Sequence, residues 1–138
     1  MSYSLVYFPT ETLYKIALSG RVEASEIVRA FQEVAEGTSG PSTANIMWDF
    51  RSADLRDINF SDVMTLLLVR QQTNTQRGNP KVAFLVDSDA VYGKVRIWTN
   101  LLEGEPAITQ TVGLFRDEAE TIAWLKDTSA STDQGSIS

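Results

Sequence analysis

Apolar residues follow two different spacings along the chain, and the change between them predicts strands separated by helices. Five runs rich in apolar and β-branched residues have the length of strands: 3–8, 13–18, 45–50, 82–86 and 108–115. The first two runs are separated only by Pro9-Thr10-Glu11, a spacing typical of a hairpin. The first strand is therefore predicted to be an antiparallel edge strand. The run at 82–86 is apolar throughout, as expected for a central strand covered on both faces.

Between these runs, apolar residues recur every three or four positions, which predicts amphipathic helices. The helical patterns cover four segments: 24–35, 60–68, 91–102 and 119–123. Gly37 is predicted to end the first helix and Gly78 the second. Strands that alternate with helices of this length favour right-handed crossovers and a mostly parallel sheet. The sequence thus predicts one α/β domain over 1–127, with a five-stranded mixed sheet, an antiparallel first strand and about four helices.

Composition narrows the classes of function. A chain of 138 residues with 43% hydrophobic and 22% charged residues is typical of one globular domain. Residues 128–138 consist mainly of Ser and Thr, with Asp, Gln and Gly, which predicts a flexible polar tail. The net charge of -6 argues against nucleic-acid binding, which needs a basic face. No apolar run approaches the length of a membrane span and the chain starts without a signal-peptide pattern, so we expect a cytoplasmic protein.

Few side chains suited to catalysis follow the predicted parallel strands at their carboxyl ends. Ligands of open α/β sheets bind at that edge, and the predicted strands there lead into Arg51-Ser52 and Asp87-Ser88-Asp89. The chain has no His and no Cys, so the commonest general base and the best nucleophile are missing. The same deficiency leaves no thiolate or imidazole for a metal. We therefore expect a non-catalytic protein without a metal or other cofactor.

Two carboxylates keep an enzyme open as a third possibility. Asp87 and Asp89 follow a strand in the Asp-x-Asp arrangement with which a haloacid-dehalogenase-type phosphatase opens. In that reading Asp87 is the nucleophile and Asp89 the acid. The simpler interpretation is that Asp87 ends the strand and Asp89 caps the next helix, where a carboxylate favours the positive end of the dipole.

The helix after this strand carries a possible anion site. Tyr92 and Arg96 are one turn apart, and a guanidinium at the carboxyl edge can hold a carboxylate or phosphate in bidentate fashion. The favoured alternative is an internal ion pair of Arg96, for instance with Asp49. Gly93 weakens the helix and so predicts that another element approaches it closely.

Several segments together resemble a known family. They are Trp48-Asp49-Phe50-Arg51, Val91-Tyr92-Gly93-Lys94-Val95-Arg96, Leu114-Phe115-Arg116-Asp117 and Ala123-Trp124-Leu125. In this order and spacing they resemble the SpoIIAA-like family, small bacterial proteins of the superfamily shared by STAS domains and Sec14-type (CRAL-TRIO) lipid-binding domains. The resemblance implies a β-α superhelix with an antiparallel first strand, and it implies no established activity.

The relatives also imply two kinds of function. STAS domains bind partner proteins and are switched by phosphorylation of a Ser or Thr at the start of a helix. Here that region reads Asp57-Ile58-Asn59-Phe60-Ser61-Asp62 and lacks the Asp-Ser-Ser-Gly type of motif, so we interpret Ser61 as a helix cap. The leading function is a protein-interaction or regulatory module. The alternative, from the Sec14-type relationship, is a carrier or sensor of a small apolar or amphiphilic, lipid-like ligand.

Candidate residues for binding a partner or ligand are Arg51, Ser52, Ser61, Asp87, Tyr92 and Arg96. A protein partner, a second copy of the chain, or a small apolar or anionic ligand are the occupants considered. Three Trp residues and the aromatic side chains of an edge strand that begins at Tyr3 predict a homodimer.

Overall fold

The computed structural model describes residues 3–127, and the predicted tail 128–138 lies outside the described residues. The strands are β1 (Tyr3–Phe8), β2 (Leu13–Arg21), β3 (Asn45–Asp54), β4 (Lys81–Leu85) and β5 (Thr111–Phe115). The helices are α1 (Ala24–Glu36), α2 (Phe60–Gln72), α3 (Asn74–Arg77), α4 (Asp89–Glu103) and α5 (Glu118–Lys126). Among these helices, none combines the length and hydropathy that a bilayer span requires.

The five strands form one sheet in the order β1-β2-β3-β4-β5. β1 pairs with β2 antiparallel, and the other three pairs are parallel. The predicted mixed sheet with an antiparallel edge strand is thereby confirmed. The four longer helices match the four predicted ones, and α3 is an additional single turn that follows α2.

The side chains of β3 point alternately to the two faces of the sheet, so β3 contributes to the core on both faces. Ile46, Trp48 and Phe50 are buried on the face covered by α1, α2 and α4. Met47 lies on the opposite face, in a smaller cluster completed by Leu125 of α5. Because α5 packs against β4 and β5, no helix within residues 3–127 covers the β1 end of this second face, and Val6 and Phe8 of β1 are exposed there.

Gly37 ends α1 as predicted, but the second helix does not extend to Gly78, because α2 ends at Gln72 and Gly78 follows the separate turn α3. Gly37 follows α1 with φ 73°, and Gly78 follows α3 with φ 69°, a region of φ in which residues with a Cβ are strained. The strands differ from prediction at their ends. β2 and β3 continue past their apolar runs because polar residues still pair through the main chain, as Arg21 does with Asp54. β5 starts later than predicted because the N–H of Ile108 closes a turn onto Glu105.

Candidate functional site

An ion-pair network occupies the second face of the sheet near the carboxyl end of β3. Arg51 Nη2 donates to Asp49 Oδ2 at 2.8 Å and to Glu118 Oε1 at 2.9 Å. Lys15 Nζ lies 3.4 Å from Glu118 Oε2 and 4.0 Å from Asp49 Oδ2. Burial acts to raise the pKa of Asp49, but hydrogen bonds from Arg51 and the two nearby positive charges outweigh it and lower that pKa. Arg51 is therefore held between two carboxylates.

Ser52 follows this network in β3 and is exposed. Its side chain borders a shallow polar recess together with Ser4, Ser19 and Asp49. The recess lies near the β1 edge of the sheet. Ser52 therefore lies away from Tyr92 and Arg96, the candidate residues on α4.

A second polar group surrounds the start of α4. Ser88 Oγ accepts from the N–H of Val91 at 3.2 Å, so Ser88 caps the helix, and the expectation that Asp89 is the cap is wrong. Asp89 instead accepts from Arg116 Nη2 at 2.7 Å. Arg116 also stacks on the ring of Tyr92, with Cζ 4.7 Å from the ring centroid. One residue of the proposed phosphatase pair is therefore engaged with an arginine, while Asp87 is exposed.

Within residues 3–127, no group of three or more acidic side chains is arranged to hold a metal ion.

Arg96 and Gly93 lie on the exposed side of α4. Within residues 3–127 Arg96 has no ion pair, and Asp49 is paired with Arg51 and Lys15 instead, so the expected Arg96–Asp49 pair is absent. Nothing lies within 4 Å of a Cβ built at Gly93, so the expected close approach of another element is wrong. Both positions face solvent because α4 buries its other side through Val95 and Trp98.

Ser61 is not the cap of α2. The cap is Asn59, whose Oδ1 accepts from the N–H of Asp62 at 2.9 Å, while Asp62 Oδ2 accepts from the N–H of Asn59 at 3.0 Å. This reciprocal capping box satisfies two otherwise unpaired donors. Ser61 stands inside the first turn, exposed to solvent, and its carbonyl accepts from Thr65 Oγ1.

The six candidate residues do not converge on one site. Arg51 and Ser52 are in β3, Asp87 and Tyr92 are at the start of α4, and Ser61 and Arg96 are on the outer surfaces of two helices. Within the described part of the chain, no hydrogen bond or ion pair joins any two of them.

The outer surface of α2 shows a feature that the candidate residues did not include. Phe60, Met64 and Leu68 recur every four residues and are 66%, 41% and 51% exposed. We call these three residues the outer stripe. The opposite side of α2 contributes Val63 and Leu66 to the core. A helix that is apolar on both sides is typical of one whose outer side meets a partner.

Beneath α2 lies an apolar cavity of about 90 Å³, the α2 cavity. It is partly open to solvent and is lined by α1, α2, α4 and the first face of the sheet, and aromatic side chains contribute much of its wall. The polar side chains at its border are Arg70 of α2 and Gln110, which precedes β5.

Two buried arginines were also missed. Arg70 is 5% exposed and Arg77 is 0% exposed, and both guanidiniums lie 5.8 Å from the ring centroid of Phe31. The sequence held a signal for Arg70, since it stands seven residues after Val63 on the same face of α2. Arg77 donates to the carbonyls of Ser42 and Ala44, which lie far away along the chain. No local pattern in the sequence therefore indicates its burial.

Comparison with known proteins identifies the fold. No protein-family model matches the sequence, and no curated protein matches it significantly. Among solved structures, an anti-sigma factor antagonist from Mycobacterium paratuberculosis is similar, with a TM-score of 0.58 and 12% sequence identity. The similarity covers 91% of this chain and 96% of the antagonist. The chain therefore has the SpoIIAA-like STAS fold of that antagonist, a mixed five-stranded sheet wound with helices.

Proposed function

We propose that the protein is a non-catalytic regulatory module that binds a partner protein through the outer stripe of α2. The outer stripe carries this proposal, because it leaves three large apolar side chains in water on a helix whose other side already builds the core. An amphipathic partner surface that covers these side chains would remove their apolar area from water.

The structural neighbour supports a particular class of partner. That protein is named an antagonist of an anti-sigma factor, and the two folds correspond over nearly their whole lengths. We therefore propose an anti-sigma factor as the partner class for this chain. Because this chain has a net charge of -6, we expect the partner's binding surface to be apolar at its centre and basic at its rim.

The non-catalytic assignment rests on what the polar side chains do. Asp49 and Arg51 are paired with each other, and Asp89 is paired with Arg116. The chain has no His or Cys that could act as base or nucleophile at neutral pH. We also propose a cytoplasmic location, which suits an acidic chain without cysteine.

A lipid carrier is less well supported. Ligand sites for molecules of that size are typically several hundred Å³ or larger, whereas the α2 cavity has a volume of about 90 Å³. A lipid chain would require α2 to move away from the sheet.

The outer stripe can be tested without disturbing the core. Replacing both Met64 and Leu68 with Gln changes exposed side chains, so the fold should keep its stability. Ile97→Gln is the matched control, because Ile97 is an exposed apolar residue on a different helix, α4, and lies outside the outer stripe. A photo-reactive amino acid at position 64 would first identify the partner in the native host by cross-linking.

The affinity of the purified partner would then be measured by calorimetry for each variant. We expect the double variant to bind at least about tenfold more weakly, and Ile97→Gln to bind as the wild type does. Equal affinity of the double variant and the wild type would refute the outer stripe as the interface. Phosphate release from a phosphate ester by the wild type, lost in Asp87→Asn, would instead favour the phosphatase.

Self-association through the open part of the second sheet face remains our proposal for assembly. Trp48 and Trp98 are buried and Tyr3 packs toward α1, where its hydroxyl donates to Glu33, so the remaining apolar surface at this edge is Val6 and Phe8. We expect light scattering to show a dimer at high micromolar concentration and Phe8→Asp to give a monomer. A wild-type monomer under those conditions would refute it.

A further inference from the structure

The α2 cavity ends at a buried cation. Arg70 donates from Nε to Gln110 Oε1 at 2.7 Å, from Nη1 to Asn74 Oδ1 at 3.0 Å and from Nη2 to the carbonyl of Thr109 at 3.2 Å. All three acceptors are neutral. A guanidinium has five N–H groups, so two remain beyond these bonds.

A second buried guanidinium adds to the charge imbalance. Arg77 donates from Nη1 to two carbonyl oxygens, but its Nε and Nη2 have no hydrogen-bond partner within residues 3–127. Neither arginine has an ion pair in that range. Burial lowers the pKa of Arg70 to about 10, and burial together with the charge of Arg70 lowers the pKa of Arg77 to about 10.

Both side chains therefore stay protonated at neutral pH, and together they place two positive charges in the interior with no carboxylate partner among residues 3–127. Buried charges are normally paired, because leaving one without a counter-charge is costly. An anion at the Arg70 end of the α2 cavity would offset that cost for Arg70, which lines the cavity.

We propose that the α2 cavity binds a small apolar carboxylate, with its ring or alkyl chain inside the cavity and its carboxylate at Arg70. Phe31, Trp48, Phe50 and Trp98 supply an aromatic wall for the apolar part. Arg70 and Gln110 supply the polar end, and a guanidinium matches the geometry of a carboxylate. This site is on the inner side of α2, so a test of it gives a result that does not depend on the outer stripe.

The volume limits the size of the ligand. An apolar protein cavity of roughly 150 Å³ holds a benzene ring, so the partly open α2 cavity, of about 90 Å³, admits at most a single ring or a short alkyl chain. Benzoate and hexanoate are in this range. Long-chain fatty acids exceed it.

The three tryptophans provide built-in probes for a titration. Trp48 and Trp98 line the α2 cavity, whereas Trp124 packs against Phe115 on the other face of the sheet. Their indole N–H signals can be followed by NMR while benzoate, benzyl alcohol or benzylamine is added. The three added compounds have similar size and differ in charge. Comparing them therefore separates recognition of an anion from simple filling of an apolar space.

We expect benzoate to shift the signals of Trp48 and Trp98 in a saturable way and to leave Trp124 unchanged. Benzyl alcohol should bind at least about tenfold more weakly, because a neutral hydroxyl does not compensate the guanidinium charge. Benzylamine should not bind. Equal affinity for benzoate and benzyl alcohol, or no saturable shift with millimolar benzoate, would overturn the proposal.

Two variants locate the site. Arg70→Gln should reduce the affinity for benzoate to that for benzyl alcohol, and leave benzyl alcohol binding unchanged. Val28→Phe should fill the cavity from α1 and abolish binding of both while leaving Arg70 in place. Benzoate binding that is unaltered in a folded Val28→Phe protein would place the ligand elsewhere and refute the α2 cavity as its site.

Discussion

Gly93 offers a direct test of the packing around α4. It lies within the helix, with open space where a Cβ would project and without the positive φ that would strain another residue. Replacing Gly93 with Ala should therefore stabilise the fold by about 1 kcal/mol, since Gly costs about that much in a helix interior. Part of this gain comes from the smaller conformational freedom of the unfolded chain. For a domain of this size the midpoint of thermal unfolding should rise by about 3 to 5 °C.

Gly113 in β5 is the matched control, because the same substitution has no room there. Its added Cβ would lie 2.6 Å from Phe115 Cε2 and 3.1 Å from Trp124 Cη2. We expect Gly113→Ala to destabilise the fold by about 1 to 2 kcal/mol through overpacking. Urea unfolding followed by fluorescence measures both variants, and each should keep the wild-type denaturant slope.

A lower stability of Gly93→Ala would refute the argument that α4 is open at this position. If the substitution instead stabilises the isolated protein and weakens the complex with its partner, the glycine serves close approach of that partner.

Three further predictions concern single side chains. Asn59→Ala should destabilise the fold by about 1 kcal/mol in urea unfolding, because it removes the cap of α2, whereas Ser61→Ala should leave it unchanged or slightly more stable, since Ala favours a helix interior. Asp49→Asn should cost about 1 to 2 kcal/mol at neutral pH. Because the pKa of Asp49 is lowered in the fold, the wild-type advantage should be complete above about pH 4, the ordinary range of an Asp, and disappear as the pH falls further. An advantage that grew on acidification would contradict this sign. Arg96→Met should change stability by less than about 0.5 kcal/mol, and a larger loss would reveal an ion pair that the fold does not show.

Periodicity was sufficient to predict the architecture. The hairpin at Pro9 and the continuous apolar run of β4 depend on short-range patterns, and each was confirmed. The cap of α2 was also readable, since Asn59 and Asp62 have the spacing of a capping box. Ser61 also fits the pattern of a hydroxyl that precedes an apolar face, but the spacing of Asn59 and Asp62 places the cap two residues earlier.

The side-chain partners could not be predicted in the same way. Arg51 meets Glu118 across 67 positions of sequence, and Arg77 meets the carbonyl of Ser42 across 35. Such contacts depend on how the elements pack in space. Arginine is also rarely buried without an acidic partner, so helical spacing alone pointed to Arg70, and no local pattern indicated that Arg77 is in the interior.

The sequential strand order has a consequence for synthesis on the ribosome. Each strand pairs only with strands adjacent to it in sequence. When a strand after β1 leaves the ribosome, the preceding strand with which it pairs has therefore already been synthesised. The first face can be covered in the same order by α1, α2 and α4. The second face has to wait for α5, and until that last helix leaves the ribosome, Met47 and Leu85 stay in water. Chaperones that recognise apolar strands therefore have their target in the nascent chain on this face, during the interval before α5 docks.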